Sequence, residues 1–257
     1  MTMLSNEALG LRIDAGPDLL YVLRLAKEYQ RVSMPHTRGF ERMQRLSEKT
    51  WWFAQELVYR AAKRAMDITG SGLLLLILSP LMIFVAAAIM LTDGGPALFW
   101  QRRVGLRGRV FDFPKFRSMV VEAEKMTKDL IEQNHHGNSI TFKMKDDPRI
   151  TWIGKFIRRF SIDEVPQLWC VLMGDMSLVG PRPALPREVD HYSQPHRRRL
   201  EVQPGLTCIW QVSGRADVPF EQQVEMDIDY VEAHGFWLDL RLLLATVPTV
   251  LSGRGAY

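Results

Sequence analysis

The sequence predicts a mostly helical α+β protein seated on one face of a membrane: a monotopic membrane protein with a re-entrant, Pro-broken helix, amphipathic interfacial helices and a small β element. Three observations predict it. No charged residue occurs from Ile68 to Thr92. Basic residues flank that run on both sides, Lys63 and Arg64 before it and Arg102, Arg103, Arg107 and Arg109 after it. Beyond it, ALFWQRRVGLRGRVFDFPKFRSM reads as two short strands joined by a Gly-containing basic turn, Gly105 to Gly108.

The uncharged run of roughly 25 residues would reach about 37 Å as a straight helix, enough to cross a bilayer. Lys and Arg normally collect on the cytoplasmic side, yet here both flanks are basic. Pro80 removes one backbone hydrogen bond and bends a helix axis. A helix that enters the membrane, breaks at Ser79-Pro80 and leaves by the same face satisfies both facts. The freed backbone groups need a partner, and the Ser79 hydroxyl is a candidate. An ordinary spanning helix with a proline kink is the alternative.

The chain has 257 residues, 47% of them hydrophobic, enough for one good-sized core or two small ones. Its net charge of +4 and pI near 9.1 suit anionic head groups or phosphate-bearing substrates better than duplex DNA. No aromatic-basic stacking platform is evident, so no nucleic-acid partner is expected. Cys170 and Cys208 are the two cysteines; they imply no disulfide framework and suit a reducing cytoplasm. The opening MTMLSNEALGLRIDAGPDLL lacks a basic stretch followed by an apolar run, so no signal peptide is expected. One strong apolar segment without a second argues against a polytopic transporter.

Three regions follow: residues 1–60 as an N-terminal helical extension, 61–94 as the re-entrant membrane helix, and 95–257 as a cytosolic catalytic domain with membrane-surface helices. In the first, Leu19, Leu20, Val22, Leu23 and Leu25 suggest an amphipathic helix over Asp18 to Gln30. A second helical pattern runs from Phe40 to Ala65. Its Trp51, Trp52, Phe53 and Tyr59 beside basic residues suit a membrane interface, or equally a soluble helix packed on the main domain.

After the hairpin, Val121 to Asn134 reads as helix and Asn134 to Asn138 as loop. His135 and His136 lack a spaced partner ligand, which argues against a metal site there. Ile150 to Arg159 and Glu164 to Met173 read as short helices, and Leu178 to Pro186 as Gly/Pro turns. Arg187 to Arg199 is polar and basic. Trp210 to Arg215 reads as loop or strand, Phe220 to Glu232 as an acidic helix, and Phe236 to Leu251 as a helix apolar enough to rest on a membrane.

The chemistry concentrates in RRFSIDEVPQLWCVLMGDMSLVGPRP, Arg158 to Pro183. Asp163 and Glu164 are adjacent carboxylates near a helix start. Ser161 with Glu164 matches the S-x-x-E capping box, which is a structural reading of Glu164. The other reading is chemical. Consecutive helical residues point roughly 100° apart, so one carboxylate can attack while the other holds Mg²⁺, which prefers carboxylate and phosphate oxygens. Lys115 and Arg117 in PKFRSM, Arg158 and Arg159, and Arg182 in GPRP can meet phosphate oxygens. The prolines beside Arg182 stiffen its loop.

No G-x-x-x-x-G-K-[ST] and no G-x-G-x-x-G occurs, so ATP hydrolysis and Rossmann-type cofactor binding lose support. Ser177 and Ser213 lack a G-x-S-x-G setting. Cys170 and Cys208 read as buried core residues. Asp227 and Asp229, on the acidic helix, read as a solvated face.

These motifs, in this order, resemble the bacterial sugar transferases, the monotopic polyprenyl-phosphate hexose-1-phosphate (phosphoglycosyl) transferases. The resemblance covers Lys63 to Tyr257. It rests on KRAMD with the SP-broken helix, QRRVG, FPKFRSM, SIDEVPQLWCVLMGDMSLVGPRP, PGLTCIWQVSGR and the closing LSGRGAY. Cys170 stands where members usually carry Asn, and Cys208 where Gly is common.

The resemblance implies an enzyme of the inner membrane's cytoplasmic face. It would take a UDP-hexose and a polyprenyl (undecaprenyl) phosphate, make polyprenyl-diphosphate-sugar and release UMP, initiating exopolysaccharide, O-antigen or capsule units. Asp163 matches the nucleophile and Glu164 the Mg²⁺ ligand, with Lys63, Arg64, Lys115, Arg117, Arg158 and Arg182 as candidate substrate contacts. The resemblance permits a homodimer. A non-catalytic membrane scaffold and a nucleotide-sugar hydrolase are the rival readings. The intact Asp163-Glu164 pair counts against the first, and dependence on a lipid acceptor separates the second.

Overall fold

The computed structural model describes residues 38–123, 126 and 147–253, with side chains from residue 54 onward except Ala216. The expected helix at Asp18 to Gln30, the interfacial side chains Trp51 to Phe53, nearly all of Val121 to Asn134, the His135-His136 loop and the last four residues lie outside the described residues. Packing divides the chain into two units, Met1–Leu57 and Val58–Tyr257.

Helix α1, Arg38–Asp93, merges the two helical patterns of the sequence. Its segment Ala54–Asp93 is long and apolar enough to cross a membrane. The reason is visible in its two faces. Val85 and Ile89 are buried, while Leu76, Ile77, Ile83, Phe84 and Leu91 stand exposed. A helix apolar all round normally meets protein on one side and lipid on the other. The sequence predicts a break at Ser79-Pro80; the backbone instead stays helical through Pro80. Pro80 has no N–H for the Leu76 carbonyl four residues back, and Ser79 Oγ donates to that same oxygen at 2.8 Å.

Strands β1, Leu98–Val104, and β2, Val110–Phe116, pair antiparallel from Leu98↔Phe116 to Val104↔Val110, as their alternation predicts. The joining turn places Arg107 and Gly108 at positive φ. Phe111 and Phe113 enter the main core with Leu168, Val171, Met176, Val179 and Tyr230. Phe116 joins a second core with Val85, Ile89, Ile153 and Ile157. Helix α1 feeds both: Met66, Leu75 and Leu78, before Pro80, pack on the first core, and Met82 and Val85, after it, on the second.

Helix α2, Trp152–Arg159, starts at Thr151, whose Oγ1 accepts from Gly154 N at 2.9 Å. The expected helix Glu164 to Met173 is in fact a six-residue 3₁₀ segment, Ile162–Gln167, followed by α3, Leu168–Met173; Pro166 tightens the first part. Gly174, at φ 91°, closes α3 in the left-handed conformation that glycine tolerates. Strands β3, Ser177–Val179, and β4, Gly205–Thr207, pair in parallel. Their ends approach so closely that a Cβ on Gly205 would stand 2.0 Å from Gly180 N.

Between these strands lie α4, Pro186–Val189, and α5, Gln194–Arg197. The stretch read as loop or strand is helical, α6 at Ile209–Ser213, because Trp210 turns inward onto Cys208 and Val218. Helices α7, Phe220–Ala233, and α8, Phe236–Ser252, complete the order. Trp152, Phe156, Trp169, Met173, Trp237, Leu244 and Val247 remain exposed on α2, α3 and α8.

Candidate active site

The acidic pair sits on the 3₁₀ segment, entered through Ser161 at φ 55°. That left-handed turn keeps the Ser161 hydroxyl from capping the segment, and the capping box read from the sequence is not formed. The hydroxyl instead accepts from Arg215 NH2 at 3.1 Å. The Glu164 carboxylate goes to Arg182, whose NH2 donates to Oε1 at 2.6 Å. With the Gln211 amide turned so that its oxygen faces the guanidinium, Arg182 NH1 donates to it at 2.8 Å.

The loop that carries Arg182 is held along its length. Pro181 O accepts from Gly205 N at 2.8 Å, Arg182 O from Arg199 NH2 at 3.4 Å and Pro183 O from Arg103 NH1 at 3.0 Å. Ala184 O accepts from Val104 N at 2.8 Å. Arg199 is itself buried in an ion pair with Asp227 and donates to Tyr192 Oη at 2.8 Å. Such a preset loop loses little freedom when its cation meets a ligand.

Burial, and then the charge of Glu164, push the Asp163 carboxyl up to about 6, against the pull of Lys115, Arg158 and Arg182. Glu164 moves the other way. Burial alone would raise it, but the charge and hydrogen bond of Arg182, with Lys115 and Arg103, hold it below the usual carboxylate range. Burial, and then Arg103 and Arg182, bring Lys115 down to about 8. Its ammonium lies 5.6 Å from the centre of the Phe113 ring. Arg158 donates to Ser118 Oγ at 2.8 Å, and its charge bears on Asp163. Two neighbouring carboxylates with oppositely shifted acidities, in a cationic ring, are a candidate site whose charges suit a phosphate ligand.

Lys115, Arg158 and Arg182 therefore converge on Asp163 and Glu164. The other three nominated cations are engaged elsewhere. Arg117 lies just past the end of β2 and pairs with Asp93. Arg64 donates through NH1 and NH2 to Val171 O at 2.7 Å and Leu172 O at 2.8 Å, serving the open C-terminal carbonyls of α3. Lys63 Nζ bonds Asp239 Oδ2 at 2.7 Å, Val179 O at 2.9 Å and Tyr230 Oη at 3.2 Å. Two cations escape sequence reading: Arg103, on the same strand face as Gln101, and Arg215, after Gly214. Their signals are membership of QRRVG and VSGR and, for Arg103, its place in the basic flank of the apolar run.

Among the described residues no group of three or more His, Cys, Asp or Glu side chains could enclose a metal ion. Magnesium asks for less, since one or two carboxylates plus substrate phosphates suffice. Asp163 and Glu164 fit that donor set, and a divalent cation there would offset the Glu164 charge that, after burial, raises Asp163.

A family model of bacterial sugar transferases matches residues 58–253. The chain belongs to the bacterial sugar transferase family. It is 49% identical over 196 residues to the galactosyl transferase CpsE of Streptococcus agalactiae, covering 76% of this chain and 43% of that protein. It is 44% identical to an undecaprenyl-phosphate galactose phosphotransferase of Salmonella typhimurium, covering 77% and 42%. To the exopolysaccharide production protein ExoY of Rhizobium meliloti it is 36% identical, covering 76% and 88%. The chain thus spans less than half the length of the first two relatives and most of the third. The sugar transferase match begins at residue 58 and takes in the apolar part of α1, the hairpin, the acidic pair and the Arg182 loop.

Proposed function

We propose that this bacterial sugar transferase moves a hexose-1-phosphate from a UDP-hexose to undecaprenyl phosphate at the cytoplasmic face of the inner membrane, starting an exopolysaccharide, O-antigen or capsule unit. The observation that carries it is the acidic pair with divided acidities inside a ring of cations. The relatives' names, a galactosyl transferase and an undecaprenyl-phosphate galactose phosphotransferase, support the substrate classes.

An Asp163 carboxylate oxygen attacks the sugar-linked phosphorus. The bond from that phosphorus to the bridging oxygen breaks, and UMP leaves with the electron pair. An oxygen of the lipid phosphate then attacks the same phosphorus, the bond to Asp163 breaks, and the carboxylate returns. Covalent catalysis splits one exchange of two anions into two steps that use a single pocket. Lys115, Arg158 and Arg182 bind and orient the phosphates and offset their charge. Glu164 would hold magnesium, which when bound supplies charge neutralisation at the phosphoryl group.

Re-entry of α1 is part of this reading. Both flanks of the apolar run are tied to one folded unit, Lys63 to Asp239 before it and Arg117 to Asp93 after it. A straight spanning helix would separate those anchors by the bilayer thickness. A helix that bends at Pro80 and returns keeps both in the same compartment. The exposed aromatic and aliphatic side chains of α2, α3 and α8 suit head-group depth, where the acceptor's phosphate lies. A screen of UMP release from UDP-galactose, UDP-glucose and UDP-N-acetylglucosamine, with and without undecaprenyl phosphate, tests the proposal. Release from none of them would sink it.

A further inference from the structure

Among the described residues three non-glycine residues take positive φ: Arg107, Ser161 and Arg215. Two of these three, Ser161 at 55° and Arg215 at 53°, are bonded to each other beside the acidic pair. Left-handed backbone is costly for such residues and concentrates where function demands a particular aim. Ser161 lies two residues before Asp163. Arg215 follows Gly214, 54 positions further along the chain from Ser161. Nothing in the local sequence of either residue asks for that conformation.

The charge of Arg215 bears on Glu164 and then on Asp163. Lys115, Arg103, Arg158 and Arg182 also act on one or both of these carboxylates and are set deeper. Of those, Arg182 bonds Glu164, Arg103 bonds Gln101 and Pro183 O, and Arg158, as Arg215 does, bonds a serine hydroxyl, that of Ser118. Arg215 reaches the site through a neutral hydroxyl at 3.1 Å, an acceptor that a phosphate oxygen outcompetes for a guanidinium.

From this we infer that Arg215 is a further substrate-binding residue, which exchanges the Ser161 hydroxyl for a phosphate oxygen when the site fills. The inference rests on the transferase reading and names a group that the sequence did not nominate. The same chemistry could come from the donor's diphosphate or from the acceptor's phosphate monoester, and the two half-reactions separate them.

The test compares the full chain in detergent with Arg215→Gln and Arg215→Lys. UDP binding is followed by calorimetry, UMP release is followed without acceptor, and product formation is followed as undecaprenyl phosphate is varied. Loss of one charge-assisted contact predicts a fall of about 10- to 100-fold in kcat/KM for Arg215→Gln. Arg215→Lys should recover part of it, with an unchanged thermal midpoint. A fall in UDP affinity and in the donor half-reaction assigns the contact to the diphosphate; a fall confined to the acceptor's KM assigns it to the lipid phosphate. Values within about threefold of wild type in both half-reactions overturn the inference. So does an Arg215→Lys variant as poor as Arg215→Gln, since charge would then not be what matters. Wild-type protein that binds UDP yet releases no UMP would overturn the transferase reading while leaving the binding comparison decisive for Arg215.

Discussion

Lys63→Met separates a structural lysine from a substrate-binding one. Asp239 is fully buried, and its carboxylate takes Lys63 Nζ at 2.7 Å, Tyr230 Oη at 2.7 Å and Tyr59 Oη at 3.1 Å. Removing one partner of a buried ion pair costs about 3–5 kcal/mol, because the remaining charge stays desolvated. The two phenols stay in place, so the lower end, about 3 kcal/mol, applies here. At about 2–4 °C per kcal/mol for a domain of this size, the thermal midpoint in nanodiscs should fall by roughly 6–12 °C.

The double variant Lys63→Met with Asp239→Asn should regain at least half of that loss, because it removes the stranded charge as well. The KM for undecaprenyl phosphate should stay within about twofold of wild type once folding is matched by temperature. A Lys63→Met protein that melts with wild type but needs far more lipid acceptor would refute this reasoning and return Lys63 to the substrate.

Asp163→Asn should abolish UMP release, by about 1,000-fold or more, with membrane association unchanged; radiolabelled UDP-sugar and flotation measure the two. The same variant should melt above wild type at pH 7. The Asp163 carboxyl is raised to about 6, so its favourable contribution to stability is present at low pH and is lost as pH rises through about 6. The gap should therefore close on acidification. Turnover should rise with pH through about 6, as Asp163 ionises, and fall through about 8, as Lys115 loses its charge. Single cysteines at Ala61 and Pro96, before and after the apolar run, should label from the same side of sealed inverted vesicles; labelling from opposite sides would exclude re-entry.

Local pattern made the hairpin readable. Gly105 to Gly108 fixes the turn, and alternation around it sends Phe111 and Phe113 inward. The Ser79 hydroxyl also finds the partner that the missing Pro80 N–H implies. What failed depended on distant partners. Asp227 reads as a solvated carboxylate on an acidic helix, but it is fully buried against Arg199, 28 positions earlier. Asp229, two residues on, is exposed as expected.

The S-x-x-E pattern suggests a cap, yet Glu164 bonds Arg182, and only the fold brings that loop within reach. Lys63 and Arg64 read from the sequence as candidate substrate contacts at the start of an apolar run. They turn inward because the buried Asp239 carboxylate and the open carbonyls of α3 are waiting there. Arg103 reads from the sequence only as part of the basic flank, and Arg215 carries no periodic signal at all.

The two anchors at either end of the apolar run have a consequence for biogenesis. A hydrophobic stretch with both termini stapled to one globular body offers no free end to thread across a bilayer. On the re-entrant reading proposed above, insertion resembles pressing a hairpin into the leaflet from the side where the body folds, and orientation follows from tertiary structure. On the same reading, weakening either anchor loosens that control, so a fully threaded population would be the signature of damage at Asp93 or Asp239.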